Sequence, residues 1–132
     1  AMVEAAPNLV IVMNSEKVLE YFRQRSLSEH QTDDLDRIDA KLEQGFQVGG
    51  DFIKQPSAED KAMFMANMLI HALNQNDETK IGLCCSFLAT RYPDLKQVRI
   101  VQHPDRTSIE MINDRAYVEE AKIQFKAKHD LS

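Results

Sequence analysis

The chain lacks most of what would announce a chemistry. Its 132 residues include two cysteines, adjacent at Cys84 and Cys85, so neither a zinc knuckle nor a Cys-x-x-Cys redox helix is spelled. There is no Gly-x-Ser-x-Gly elbow, no Walker-type phosphate loop, no Gly-x-Gly-x-x-Gly and no His-Glu-x-x-His. Four glycines are present, and Gly49-Gly50 alone does not make a phosphate cradle. No apolar run approaches the roughly 20 residues that span a bilayer, so no membrane partner is expected. LVIVM, at positions 9–13, is also too short for a secretory segment, and no basic stretch precedes it. Excess basic charge is missing too. Sixteen Lys and Arg stand against 21 Asp and Glu, a net charge of -5. A general nucleic-acid binder needs the opposite balance to displace phosphate counterions. With two thiols and no targeting signal, the expectation is a reduced, cytoplasmic protein without a cofactor or metal.

What is present is ordinary globular composition, 43% hydrophobic and 28% charged, in a length that suits one domain. Residues 9–132 are expected to form that domain. Residues 1–8 read as a flexible tail in which Ala1 before Met2 is a tag remnant, with Met13 an alternative natural start.

Helical signals dominate the reading. Asn14 or Ser15 can cap a helix through SEKVLEYFRQR, with Val18, Leu19 and Phe22 as its stripe. Ser28 and Gln31 form a capping box for a second helix, which Gly45 stops. Residues 45–56 read as a connection pinned by Phe46, Val48, Phe52 and Ile53. Ser57 caps a third helix to about Asn74, apolar on nearly every side, and the NQND segment leads into a fourth that ends before Pro93. These two predict a central antiparallel helical hairpin. QVRIVQ (97–102) and TSIEMI (107–112) predict a β-hairpin around HPDR, and a final helix is expected from Asp114. The sum is an α+β protein, mainly α, with about five helices around the helical hairpin. Leu9 to Met13 would be a third strand or an extended lead-in.

Cys84 and Cys85 are read as small core hydrophobes, since adjacent helical positions point about 100° apart and cannot form an ordinary disulfide. His71, inside the third helix, could join them around a ligand pocket between the central helices, but no further metal ligands stand nearby. The clearest asymmetry is charge. Residues 26–60 hold nine acids and three bases. Asp33, Asp36, Asp39 and Glu43 of the second helix are the candidate dock for a basic partner. Arg99 and Arg106 of the hairpin are the basic counterpart and could meet the acidic helix of a second copy in a homodimer. No catalytic residue is assigned. Three functions are therefore carried: an interaction or regulatory protein using the acidic helix and the hairpin, a small-molecule binder near His71, Cys84 and Cys85, and an enzyme with a dispersed site around His103, Arg106 and Glu110.

Overall fold

The computed structural model describes residues 7–24 and 26–119. Three helices and six strands form two sheets, which overturns the expectation of a mainly helical protein with about five helices. The four-stranded sheet runs in the order β2-β1-β5-β6, where β1 is Leu9–Met13, β2 Glu16–Tyr21, β5 Gln97–Gln102 and β6 Thr107–Ile112. The two central strands β1 and β5 are parallel, and the outer pairings are antiparallel. The second sheet is a short hairpin of β3 (Phe46–Val48) and β4 (Asp51–Ile53).

The first correction falls on residues 15–25. A helix is expected there, and the strand Glu16–Tyr21 is found, with Arg25 outside the described residues. Asn14 and Ser15 both have positive φ, 52° and 71°. That is the two-residue type I′ turn, whose twist matches that of the paired strands. The chain folds straight back along β1, and Leu19 and Tyr21 pack against the core. The register slips by one residue between Ile11 and Val12, leaving Val18 as the extra residue of a β-bulge. β1 is buried on both faces and needs a hydrogen-bonding strand on each side. That tertiary demand outweighs the weak helical stripe of 18, 19 and 22.

The second correction is the 45–56 connection, which is the β3–β4 hairpin. Gly45 sits at φ +88°, and a Cβ there would lie 2.5 Å from the Ile53 carbonyl oxygen, so only glycine allows the helix to end and the hairpin to close. The third concerns the final helix. Residues 114–119 are not helical, and the remainder of that expected helix lies outside the described residues.

The three helices start at strong signals. α1 (Glu29–Glu43) carries the Ser28/Gln31 capping box, and α2 (Ala58–Gln75) carries the equivalent Ser57/Asp60 pair. α3 (Glu78–Arg91) is capped by Asp77, which accepts from the Lys80 amide. Asn76 ends α2 in the left-handed region, so a two-residue link turns the chain from α2 into α3. The helices cover one face of the large sheet. Leu9, Ile11, Val98 and Ile100 meet Leu35, Leu69, Phe87 and Leu88 in one core. Each such fully buried side chain stabilises the fold by about 1.5–3 kcal/mol.

Arg23 ties the sheet to the end of α3. Its guanidinium donates to the carbonyls of Ala89, Tyr92, Leu95 and Pro7. The Ala89 and Tyr92 carbonyls are acceptors at the C-terminal end of α3, which a cation suits, and those of Leu95 and Pro7 lie in the adjoining loops. The partial burial that this requires lowers the Arg23 pKa from its usual value.

Candidate functional site: a groove beside an edge strand

β2 is one edge of the large sheet. Among the described residues, no backbone group outside β1 pairs with it. An unpaired edge is a ready template for another strand. Beside it lies an open groove of about 690 Å³, walled by β2, α1 and α3. The groove is lined by five consecutive residues of this strand and its exit, Val18 to Phe22. A sheet face would expose alternate residues to a cavity, so a run of five means that the strand presents its edge.

The walls are mostly apolar. Val18 is 46% exposed and Phe22 60% exposed, while Leu73, Ile81 and Leu83 are half-buried. The polar groups are few. The Ser86 hydroxyl donates to the Tyr21 hydroxyl oxygen at 3.2 Å, which joins α3 to β2 across the groove. The lining residues include Glu20, Asp34 and Glu78 and no Lys or Arg. The groove is thus acidic as well as apolar. Glu20 is held below the usual carboxylate pKa, first by the Asn8 amide at 2.8 Å and then by Lys17 at 3.2 Å. His30 lies 3.6 Å from Asp34 on the α1 wall, and Arg37 lies 2.6 Å from the other Asp34 oxygen.

The residues singled out in the sequence are dispersed. On α1, Asp36 and Asp39 are both bound by Arg91 of α3, and Glu43 is bound by Lys61 of α2. These three acids tie helices together. Asp33 is exposed and is without an ion pair among the described residues. On the hairpin, Arg99 donates to the Gln97 side chain at 2.9 Å, and Arg106 is exposed in the β5–β6 turn. His71 is exposed on α2, whereas Cys84 and Cys85 are 2% and 1% exposed. Of these three, Cys85 alone lines the groove, so they do not share a pocket. Burial pushes the Cys84 thiol up to about 11 and the Cys85 thiol up to about 12. Both are poor nucleophiles. Glu110 pairs with Arg99 in the hairpin register and not with His103, so His103, Arg106 and Glu110 do not converge through that pairing.

A second, smaller cavity of about 360 Å³ lies between the start of α2, Tyr92, Leu95 and Met111. It is apolar, and the Tyr92 hydroxyl beside it donates to the Ala58 carbonyl at 2.7 Å. Among the described residues, no group of three or more His, Cys, Asp or Glu is placed to hold a metal ion, and no helix is long and apolar enough to cross a membrane.

The groove was missed in the sequence because β2 was read as a helix. The available signal was the alternation of Leu19 and Tyr21 after Asn14-Ser15. Compared with known protein families, curated proteins and solved structures, the chain matches none.

Proposed function

We propose that the protein is a small cytoplasmic interaction or regulatory protein whose dock is the groove beside β2, where an extended segment of a basic partner protein adds to the sheet. The observation that carries this reading is the edge-on lining of the groove by Val18 to Phe22. In strand addition, main-chain hydrogen bonds supply affinity and pockets for alternate side chains supply specificity. Here Leu73, Ile81 and Leu83 offer the apolar contacts. Glu78 offers charge to Lys or Arg at an intervening position, and Glu20 and Asp34, already paired with Lys17 and Arg37, would have to exchange those partners to add to it. The net charge of -5 favours the same class of partner and disfavours nucleic acid.

The test is fluorescence anisotropy with a panel of extended peptides that alternate apolar and basic residues, compared with acidic versions of the same panel. The basic panel should bind, and Phe22→Asp should weaken binding at least tenfold. Phe22 is 60% exposed, so its replacement leaves the core intact. Equal binding of acidic and basic panels, or indifference to Phe22→Asp, sinks the reading.

A homodimer is the form of this reading in which the partner is a second copy. Its support is the exposed apolar pair Val18 and Phe22 flanking the edge, which a two-fold pairing of β2 strands would cover. Sedimentation equilibrium of the intact protein and of Val18→Lys distinguishes the two forms. A dimer that Val18→Lys leaves whole would remove β2 from its interface.

A further inference from the structure

Two hydroxyls meet across the groove. The Ser86 hydroxyl of α3 lies 3.2 Å from that of Tyr21 on β2, and both residues line the cavity. Ser86 is 8% exposed and Tyr21 is half-buried. Leu19, Leu73, Ile81 and Leu83 of the same lining are apolar. A few polar groups set among apolar walls are what fix orientation and specificity in a binding site.

The protons of this pair decide what it can bind. Each hydroxyl carries one proton and can also accept. The bond between the two uses one proton. Among the described residues, neither hydroxyl makes a further hydrogen bond. One O–H donor and free acceptor capacity therefore remain, side by side. A primary carboxamide matches both, because its carbonyl oxygen accepts and its NH₂ donates. A carboxylate brings no donor and an ammonium no acceptor. The acids Glu20, Asp34 and Glu78 of the lining also oppose a carboxylate. A single hydroxyl would have to close a ring of hydrogen bonds with the pair, which bends each of them and weakens it.

A strand laid along β2 turns alternate side chains toward the groove. We propose that Tyr21 and Ser86 select a partner segment that carries an Asn or Gln side chain at the position facing them. This rests on the reading of the groove as a dock for an extended segment, and it names the residue that the segment presents there. The apolar walls sharpen the choice. A partner residue without the amide leaves the spare hydroxyl proton facing apolar surface with no acceptor.

The experiment is fluorescence anisotropy with the intact protein and two fluorescein-labelled peptides, Lys-Thr-Val-Thr-Gln-Thr-Val and its reverse, Val-Thr-Gln-Thr-Val-Thr-Lys. The two sample both chain directions along β2. Lys stands four positions from Gln because Glu78 lies about 12 Å along α3 from Ser86, which four extended residues span. The peptide of the better direction should lose at least tenfold in affinity when Leu or Glu replaces Gln. Tyr21→Phe, which keeps the ring, and Ser86→Ala should each bring the Gln peptide down to the affinity of the Leu peptide. Both variants should leave binding of the Leu peptide within twofold of wild type, which a merely structural loss would not. Equal binding of the Gln and Leu peptides, a preference for Glu, or an equal loss of both peptides in the variants overturns the amide selection and leaves the groove as a peptide site. Failure of every peptide to bind overturns the amide selection and the docking reading together.

Discussion

Arg91 of α3 holds two carboxylates of α1 at once. Its Nη2 lies 2.7 Å from Asp39 and 3.0 Å from Asp36, and its Nε donates to Asp39 at 2.8 Å. The hydrogen bond with Asp39, with the charges of both acids, holds the Arg91 pKa above its usual value. The pattern at Asp36 and Asp39 that looked like a docking face in the sequence is here a clamp between helices.

Arg91→Ala should cost about 1 kcal/mol, because partly exposed ion pairs contribute little each and two are lost. Urea unfolding at low and high salt checks this. The loss should shrink as salt rises. A cost that salt leaves unchanged would mean that the stem of Arg91 matters more than its charge. Charge reversal at Asp36 or Asp39 should likewise lower stability, so any binding defect of such variants has to be corrected for the folded fraction.

Glu20 sets a pH dependence of known sign. Asn8 and then Lys17 keep its folded-state pKa below the ordinary value of 4.5. A depressed carboxylate stabilises the fold above the unfolded pKa, and that contribution disappears as pH falls through the folded pKa. The stability difference between wild type and Glu20→Gln should therefore be constant from about pH 5.5 to 8 and should narrow below about 4.5. Unfolding titrations across that range decide it, and a difference that stays flat into strong acid would refute the pairing.

Cys84 and Cys85 should be silent toward thiol reagents in the native protein. The thiolate is the reacting species, and with the Cys84 pKa near 11 it makes up about one thiol in a thousand at pH 8. Exposure of 2% and 1% blocks access further. A disulfide-exchange reagent at pH 8 should titrate close to zero thiols in buffer and two in guanidinium. Rapid labelling of either thiol in buffer would show that α3 opens on the assay timescale.

Much of the fold was legible from local signals. Ser28 and Ser57 start helices where their capping boxes stand, and Gly45 stops one where its positive φ is needed. Strands 97–102 and 107–112 followed from composition and the HPDR turn. The 45–56 connection proved to be a hairpin and 114–119 are not helical, but the failure with the largest consequence was the segment after Asn14. There the decisive fact is non-local: β5, more than 80 residues away, pairs with β1 and makes it a central strand that needs β2 on its other side. The groove fell with that segment, since its signature is the edge of a strand rather than a set of side chains. The acidic run was legible as composition, but which acids would be consumed by Arg91 and Lys61 depends on how the helices pack.

The turn that decided this segment also makes a prediction. Asn14 suits a left-handed position and is fixed in place: its side-chain oxygen accepts from the Gln102 amide at 2.9 Å, and its own amide donates to the Ile100 carbonyl at 2.8 Å. Ser15, at φ 71°, has the less suitable residue type. Type I′ turns favour glycine at this second position, and Asn-Gly is the strongest pairing. Ser15→Gly should therefore stabilise the protein by roughly 0.5–1 kcal/mol, relief of the strain outweighing the greater freedom of glycine in the unfolded chain. Ser15→Val should destabilise it by more than that, because a β-branched residue resists positive φ. Paired chemical denaturation curves of the two variants give the sign directly. Should Ser15→Gly destabilise instead, the serine would have to be making a contact that outweighs its strained backbone, and the tight β1–β2 hairpin that presents the docking edge would need another explanation.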